Sequence, residues 1–94
     1  MKDSVRSPVG LIAGSGRPPF LVAEGVLRAG RPLVVAGLRG SASVRLKDLA
    51  TTFFWASPTR MGSWLRALKR HGVHEAVMIG GVQKKAIYSP LRII

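Results

Sequence analysis

The sequence predicts an α/β domain, with an open, mostly parallel sheet of about four strands and helices packed on it. Short apolar runs alternate with two amphipathic stretches in the order β-α-β-β-α-β, which is typical of sheets layered with helices. The chain has 94 residues, of which 47% are hydrophobic. That length and composition suit one hydrophobic core, so we expect a single small domain.

The first half of the chain predicts a β-α-β unit. Val9–Ala13 is an apolar run that ends at a Gly-Ser-Gly turn, as expected for a buried strand. Residues 19–29 predict a helix that prolines open and Gly30 closes, since glycine accepts the left-handed conformation of a helix C-terminus. Residues 32–38 are apolar and β-branched in their middle, and they predict the second strand.

The middle of the chain is less regular. Residues 42–50 mix Ser, Arg, Lys and Asp without a clear period, which predicts a loop or a short turn of helix. Residues 51–55 have the β-branched and aromatic content of a third strand. Ser57 and Pro58 then predict a helix start, because Ser can cap the first amides and Pro suits the first helical position.

The second helix has the strongest periodicity in the sequence. Its apolar stripe recurs at helical spacing and consists of Met61, Trp64, Leu65 and Leu68, so we expect this stripe to face the core. Gly72 ends the helix, and residues 75–79 predict a fourth buried strand. Residues 82–94 have no firm period, so the predicted core covers about residues 8–82.

The charge of the chain is strongly positive. The chain has fifteen Lys and Arg residues and only four Asp and Glu residues, which gives a formal net charge of +11. This charge favours association with phosphates, nucleic acids or anionic membrane surfaces. One interpretation is a solvated basic surface with no dedicated partner. The alternative is a small basic nucleic-acid- or anion-binding module, with Trp55, Trp64 and Tyr88 as stacking groups.

Residue types argue against several kinds of active site. The chain has no cysteine, which excludes disulfides, thiolate metal sites and a cysteine nucleophile. The four carboxylates fall in separate predicted elements, at Asp3, Glu24, Asp48 and Glu75. Metal-assisted hydrolysis needs several converging oxygen ligands, so we expect no catalytic residue, no metal ligand and no cofactor in this chain.

Two glycine segments are the candidate ligand-binding site. Each follows a predicted strand, and glycine lets a ligand approach the backbone closely while a helix start offers free amides. The candidate ligand-binding residues are Gly14, Ser15, Gly16, Arg17, Pro18, Gly80, Gly81, Val82, Gln83 and Lys84. If the first and fourth strands are parallel neighbours, both segments lie at one edge of the sheet. Pro19 stands where a dinucleotide fingerprint needs glycine, and no Walker phosphate loop occurs.

These residues also resemble a known family. Residues 10–19 read GLIAGSGRPP and resemble the opening stretch of the UDP-2,3-diacylglucosamine pyrophosphatases of the LpxI type, which act in lipid A biosynthesis. Residues 61–82 resemble the helix-strand unit of the same family, and the match runs in one colinear order over nearly the whole chain. The resemblance implies a Rossmann-like amino-terminal domain.

The resemblance also implies a function and a missing part. In the family, the nucleotide-sugar lipid lies between this domain and a carboxy-terminal domain that carries the catalytic carboxylates and a divalent metal such as Mg²⁺. Hydrolysis there yields lipid X and UMP. We therefore expect residues 1–94 to be an amino-terminal domain without its catalytic partner, inactive alone, and cytoplasmic or peripheral at the inner membrane.

Overall fold

The computed structural model describes residues 7–82 and 84–93, which form one five-stranded sheet with two α-helices. The elements in chain order are β1 (Val9–Ala13), α1 (Pro18–Arg28), β2 (Leu33–Leu38), a 3-10 helix (Val44–Asp48), β3 (Thr52–Ala56), α2 (Met61–Arg70), β4 (Glu75–Val82) and β5 (Lys85–Arg92). The short helix agrees with the interpretation of residues 42–50. It begins where the Ser43 hydroxyl accepts a hydrogen bond from the Arg45 amide.

The strands lie in the order β3-β2-β1-β4-β5. β1 pairs in parallel with both β2 and β4, and β2 pairs in parallel with β3. The mostly parallel α/β sheet is therefore confirmed. The chain leaves β1 toward β2 on one side and returns through α2 to β4 on the other, so the order of the sheet reverses between β1 and β4.

The fifth strand is a departure from the predicted four. β5 pairs antiparallel with all eight residues of β4, and Lys84, with a φ of 68°, makes the turn between them. Polar and charged residues in residues 82–94 hide the alternation that would have predicted a strand. Pro90 is tolerated because β5 is an edge strand, where a missing backbone donor can face solvent. Gly80 and Gly81, predicted to form a loop, lie inside the longer β4.

The helices cover opposite faces of the sheet. On the α1 side, Leu11, Val35 and Ala23 belong to one buried cluster. On the α2 side, Ile12 and Leu68 belong to a second. The sheet is therefore the middle layer of three. Within the described residues, neither helix has the length and apolar character needed to cross a bilayer.

The start of α2 corrects the sequence interpretation. The helix begins at Met61, and the Ser57 hydroxyl lies 3.1 Å from the Thr59 hydroxyl instead of capping helix amides. Ser57 and Pro58 form a preceding turn, in which the Arg60 amide donates to the Ser57 carbonyl at 3.1 Å. Met61, the first residue of the helix, is 53% exposed and does not face the core.

The rest of the α2 stripe packs as expected. Trp64 is 3% exposed and Leu68 is fully buried, while Leu65 is half-buried against the same cluster. The Trp64 indole N–H donates to the Ser57 carbonyl at 3.1 Å, which ties the helix to the turn before it. Gly72 has a φ of +81° and its amide donates to the Lys69 carbonyl at 3.0 Å, so the predicted helix stop is confirmed.

Candidate functional site

The two glycine segments lie side by side at the carboxyl edge of the sheet. β1 and β4 are parallel neighbours whose last paired residues are Ala13 and Ile79. Beyond that pair, the Ser15 amide donates to the Gly81 carbonyl at 2.8 Å and the Gly81 amide donates to the Ser15 carbonyl at 3.0 Å. The segments therefore form one continuous surface at the point where the strand order reverses, the usual ligand position in open α/β sheets.

Close backbone contact explains why glycines occupy these positions. A Cβ on Gly14 would lie 2.5 Å from the Gly81 carbonyl oxygen. Gly80 has a φ of +122°, and its Cβ would lie 2.8 Å from the Ser15 carbonyl oxygen. A Cβ on Gly81 would overlap the Ser15 hydroxyl oxygen. The glycines thus have a structural role, which is to let the two segments touch.

The start of α1 offers fewer donors than the sequence suggested. Pro18 and Pro19 occupy the first two helical positions and carry no N–H. The next amide, that of Phe20, donates to the Arg17 carbonyl at 2.9 Å. An anion at this helix start would therefore meet no free amide from the first three helical residues.

The free donors lie just before the helix. In the described part of the chain, the Gly16 and Arg17 amides have no hydrogen-bond partner, whereas the Ser15 amide is already paired with Gly81. The Ser15 hydroxyl also donates to the Gly81 carbonyl, at 3.2 Å. Gly16 and Arg17 are both exposed. The loop can thus present two adjacent amides and one guanidinium to an anion.

A shallow depression of about 470 Å³ adjoins the glycine segments. It is lined by Ser15, Pro18, Ile79, Gly80, Gly81, Ala86, Ile87 and Tyr88. Four of these are predicted site residues. The β5 residues were missed because residues 82–94 were not recognised as a strand. Tyr88, 67% exposed, gives the depression an open aromatic wall that carries a hydroxyl group.

Other predicted site residues lie around this depression. Gly14 is buried beneath the contact between the two segments, and Lys84 is exposed in the β4-β5 turn. Val82 does not join the depression, because its side chain packs with the cluster on the α2 face. Gln83 lies outside the described residues. Successive side chains of a strand lie on opposite faces of the sheet. This is why Gly81 lines the depression while its neighbour Val82 does not.

The described residues do not fit a metal centre. Over residues 7–82 and 84–93, no three His, Asp or Glu side chains lie together. Glu75 is at the opposite edge of the sheet and pairs with Arg31 at 2.8 Å. His71 packs against Phe54, with ring centroids 6.0 Å apart. The divalent metal implied by the resemblance would need ligands from outside the described part of this chain.

Comparison with known families decides the affiliation. The family model of the LpxI N-terminal domain matches residues 8–93. The chain belongs to this family. The match spans β1 through β5, so the residues of both glycine segments fall within it. No curated protein and no solved structure matches the chain.

Proposed function

We propose that this domain binds a UDP-2,3-diacylglucosamine-type nucleotide-sugar lipid at the carboxyl edge of β1 and β4, as the amino-terminal half of a pyrophosphatase of lipid A biosynthesis. One observation carries the proposal. The segments after β1 and β4 meet through two backbone hydrogen bonds beside a depression of about 470 Å³. A depression of this size, at the strand-order reversal of an LpxI N-terminal domain, suits part of a nucleotide-sugar ligand.

The chemistry of the edge divides into two parts. The Gly16 and Arg17 amides and the Arg17 and Lys84 side chains supply donors and positive charge for a pyrophosphate. The apolar wall formed by Ile79 and Tyr88 suits a ring or an acyl chain. These groups bind and orient a ligand. None of them is placed to activate water.

Turnover then requires a second domain. By family resemblance, that domain holds a divalent metal and the carboxylates that direct water at the α-phosphate, giving UMP and lipid X. The described residues bring no such carboxylate cluster together, so the proposal assigns them ligand binding alone. A lipid substrate places the site at a membrane surface, and by the family resemblance that surface is the cytoplasmic side of the inner membrane.

Nuclear magnetic resonance of the 15N-labelled chain tests the proposal. UDP-N-acetylglucosamine serves as a water-soluble probe of the head group. We expect amide shifts concentrated at Gly16, Arg17 and Lys84, and an affinity about tenfold weaker in Arg17→Gln, the loss expected for one charge-assisted contact. Arg28→Gln, at the far end of α1, removes the same charge as a control.

Two results would contradict the proposal. The first is an absence of shifts at the glycine segments with millimolar probe. The second is an equal loss of affinity in Arg17→Gln and Arg28→Gln, because that would show attraction to the overall charge and not to this edge.

A further inference from the structure

The cleft between α2 and the edge strand β3 has a cationic wall on its helix side. Its volume is about 280 Å³. The residues that line it from this side are three or four positions apart and so share one face of the helix: Arg60, Ser63, Ala67 and Arg70. Both arginines are exposed. The helix face therefore presents a guanidinium at each end and a hydroxyl group between them.

The other side of the cleft is the outer edge of β3. β3 is the last strand in the sheet order of the described residues. The Arg39 amide donates to the Ala56 carbonyl at 2.9 Å, so the backbone of Ala56 points toward β2. Successive residues of a strand direct their backbone groups to opposite sides, so the N–H and C=O groups of Phe53 and Trp55 point outward. Within the described sheet, this edge thus offers backbone donors and acceptors to an additional strand.

The two faces of the sheet differ in chemistry beside this edge. The arginines of the cleft lie on the α2 face. On the α1 face, the rings of Phe53 and Trp55 pack edge to face with centroids 5.0 Å apart. Side chains of a strand alternate between faces, so a strand added to β3 would place every second residue beside the arginines and the others beside the aromatic rings. The edge therefore suits a segment in which acidic and apolar residues alternate.

The spacing of the two arginines fits such a segment. Arg60 and Arg70 are ten positions apart, or about 15 Å along a helix axis at about 1.5 Å per residue. Residues i and i+4 of an extended peptide share a face and lie about 13 Å apart at about 3.3 Å per residue. Arginine side chains are long enough to cover the difference. Two acidic residues at this spacing can therefore each meet one guanidinium.

The opposite edge of the sheet is less suited to strand addition. β5 contains Pro90 and begins and ends with the charged residues Lys85 and Arg92. Proline and charged side chains are the usual means by which edge strands resist pairing with another chain. β3 has the sequence TFFWA, without proline or charge. Of the two edges, β3 is therefore the one open to a further strand.

We propose that the outer edge of β3 binds an extended acidic peptide of a partner protein as a sixth strand of the sheet. Backbone hydrogen bonds to Phe53 and Trp55 supply affinity, and the alternation of acidic and apolar side chains supplies selectivity. Arg60 and Arg70 hold the acidic residues. These residues lie outside the two glycine segments, so the surface is distinct from the nucleotide-sugar site.

A second copy of this chain does not supply such a strand. Its carboxylates are far apart in sequence, at Asp3, Glu24, Asp48 and Glu75. No single strand of the chain can therefore carry two of them. The acidic strand must come from another protein.

Fluorescence anisotropy with labelled peptides tests the role of the arginines. The peptide Glu-Val-Thr-Val-Glu-Val carries both acidic residues on one face of an extended strand. The matched peptide Glu-Glu-Val-Thr-Val-Val has the same composition with the acidic residues on opposite faces, and it should bind more weakly. Arg60→Gln/Arg70→Gln should weaken binding of the first peptide about fivefold, the loss expected for two exposed ion pairs.

The control variant is Arg28→Gln/Lys69→Gln. Both residues are exposed and lie outside the lining of the cleft, and both double variants lower the formal charge of +11 by two. An unchanged affinity in this control supports the proposal. Equal losses in the two double variants, or equal binding of the two peptides, would overturn it, because either result would show attraction to the net charge alone.

Amide hydrogen exchange, followed by nuclear magnetic resonance, tests the added strand. With the edge about 90% occupied by the first peptide, exchange of the Phe53 and Trp55 amides should slow about tenfold, because only the unoccupied fraction exchanges. The Phe54 and Ala56 amides face β2 and should change little. Unchanged exchange at Phe53 and Trp55 under these conditions would refute strand addition even where the peptide binds.

Discussion

The contact between the glycine segments should make Gly14→Ala strongly destabilising. The new Cβ would lie 2.5 Å from the Gly81 carbonyl oxygen and 3.0 Å from the Gly80 carbonyl carbon. Both are backbone atoms, so no side-chain rotation can relieve the overlap. The end of β4 must move away from β1, which strains the two hydrogen bonds between Ser15 and Gly81.

The expected magnitude follows from these two effects. Overpacking a tight site costs about 1–3 kcal/mol, and each weakened hydrogen bond removes up to about 1 kcal/mol. The expected loss is therefore about 3 kcal/mol. A chain of 94 residues has a free energy of unfolding of about 5–14 kcal/mol. The variant should thus fold but unfold at a clearly lower urea concentration.

Urea denaturation, followed by the emission of Trp55 and Trp64, measures the change. Gly25→Ala is the control, since nothing lies within 4 Å of its Cβ in α1 and alanine in a helix interior stabilises by about 0.5–1 kcal/mol relative to glycine. The two substitutions add the same methyl group and should have opposite signs. A Gly14→Ala variant within about 0.5 kcal/mol of the wild type would refute the close contact.

Three further predictions concern stability, each measured by urea denaturation. Leu68→Ala should lower the free energy of unfolding by about 2–5 kcal/mol, because Leu68 is fully buried; a loss under about 1 kcal/mol would mean that α2 packs loosely. Gly72→Ala should lower the free energy of unfolding by about 1–2 kcal/mol. The backbone φ of +81° alone causes this loss, since the new Cβ would lie 3.7 Å from its nearest atom. A neutral effect would place the helix end elsewhere. Glu75→Gln should change stability by less than about 1 kcal/mol, because its side chain is 59% exposed in the pair with Arg31. A larger loss, or one insensitive to salt, would show a more buried pair.

Local pattern predicted the parallel part of the fold. The apolar runs at β1, β2 and β3 were located to within a residue or two, since buried parallel strands are continuous hydrophobic segments. The order and spacing of the two glycine segments predicted their meeting, and the parallel pairing of β1 with β4 brings them together. Their ligand remains a prediction.

The sequence pattern mispredicted those segments whose conformation depends on contacts with residues elsewhere in the chain. β5 exists because β4 offers a free edge, and Ser89 and Pro90 alone give no strand signal. The cap predicted at Ser57 was wrong because α2 begins only at Met61, and the Ser57 hydroxyl lies against the Thr59 hydroxyl instead. The free amides expected at the start of α1 are reduced to those of Gly16 and Arg17. Pro18 and Pro19 have no N–H, and the Ser15 amide is bonded to the Gly81 carbonyl.

The order of residues is enough to establish the family, the single α/β domain and the excess of positive charge, because these depend on composition, period and the succession of motifs along the chain. Folding in three dimensions sets which backbone donors stay free, which face each side chain takes, and which strand ends meet at the carboxyl edge of the sheet. These properties depend on which strands become neighbours, and strands distant in sequence become neighbours only when the core is buried.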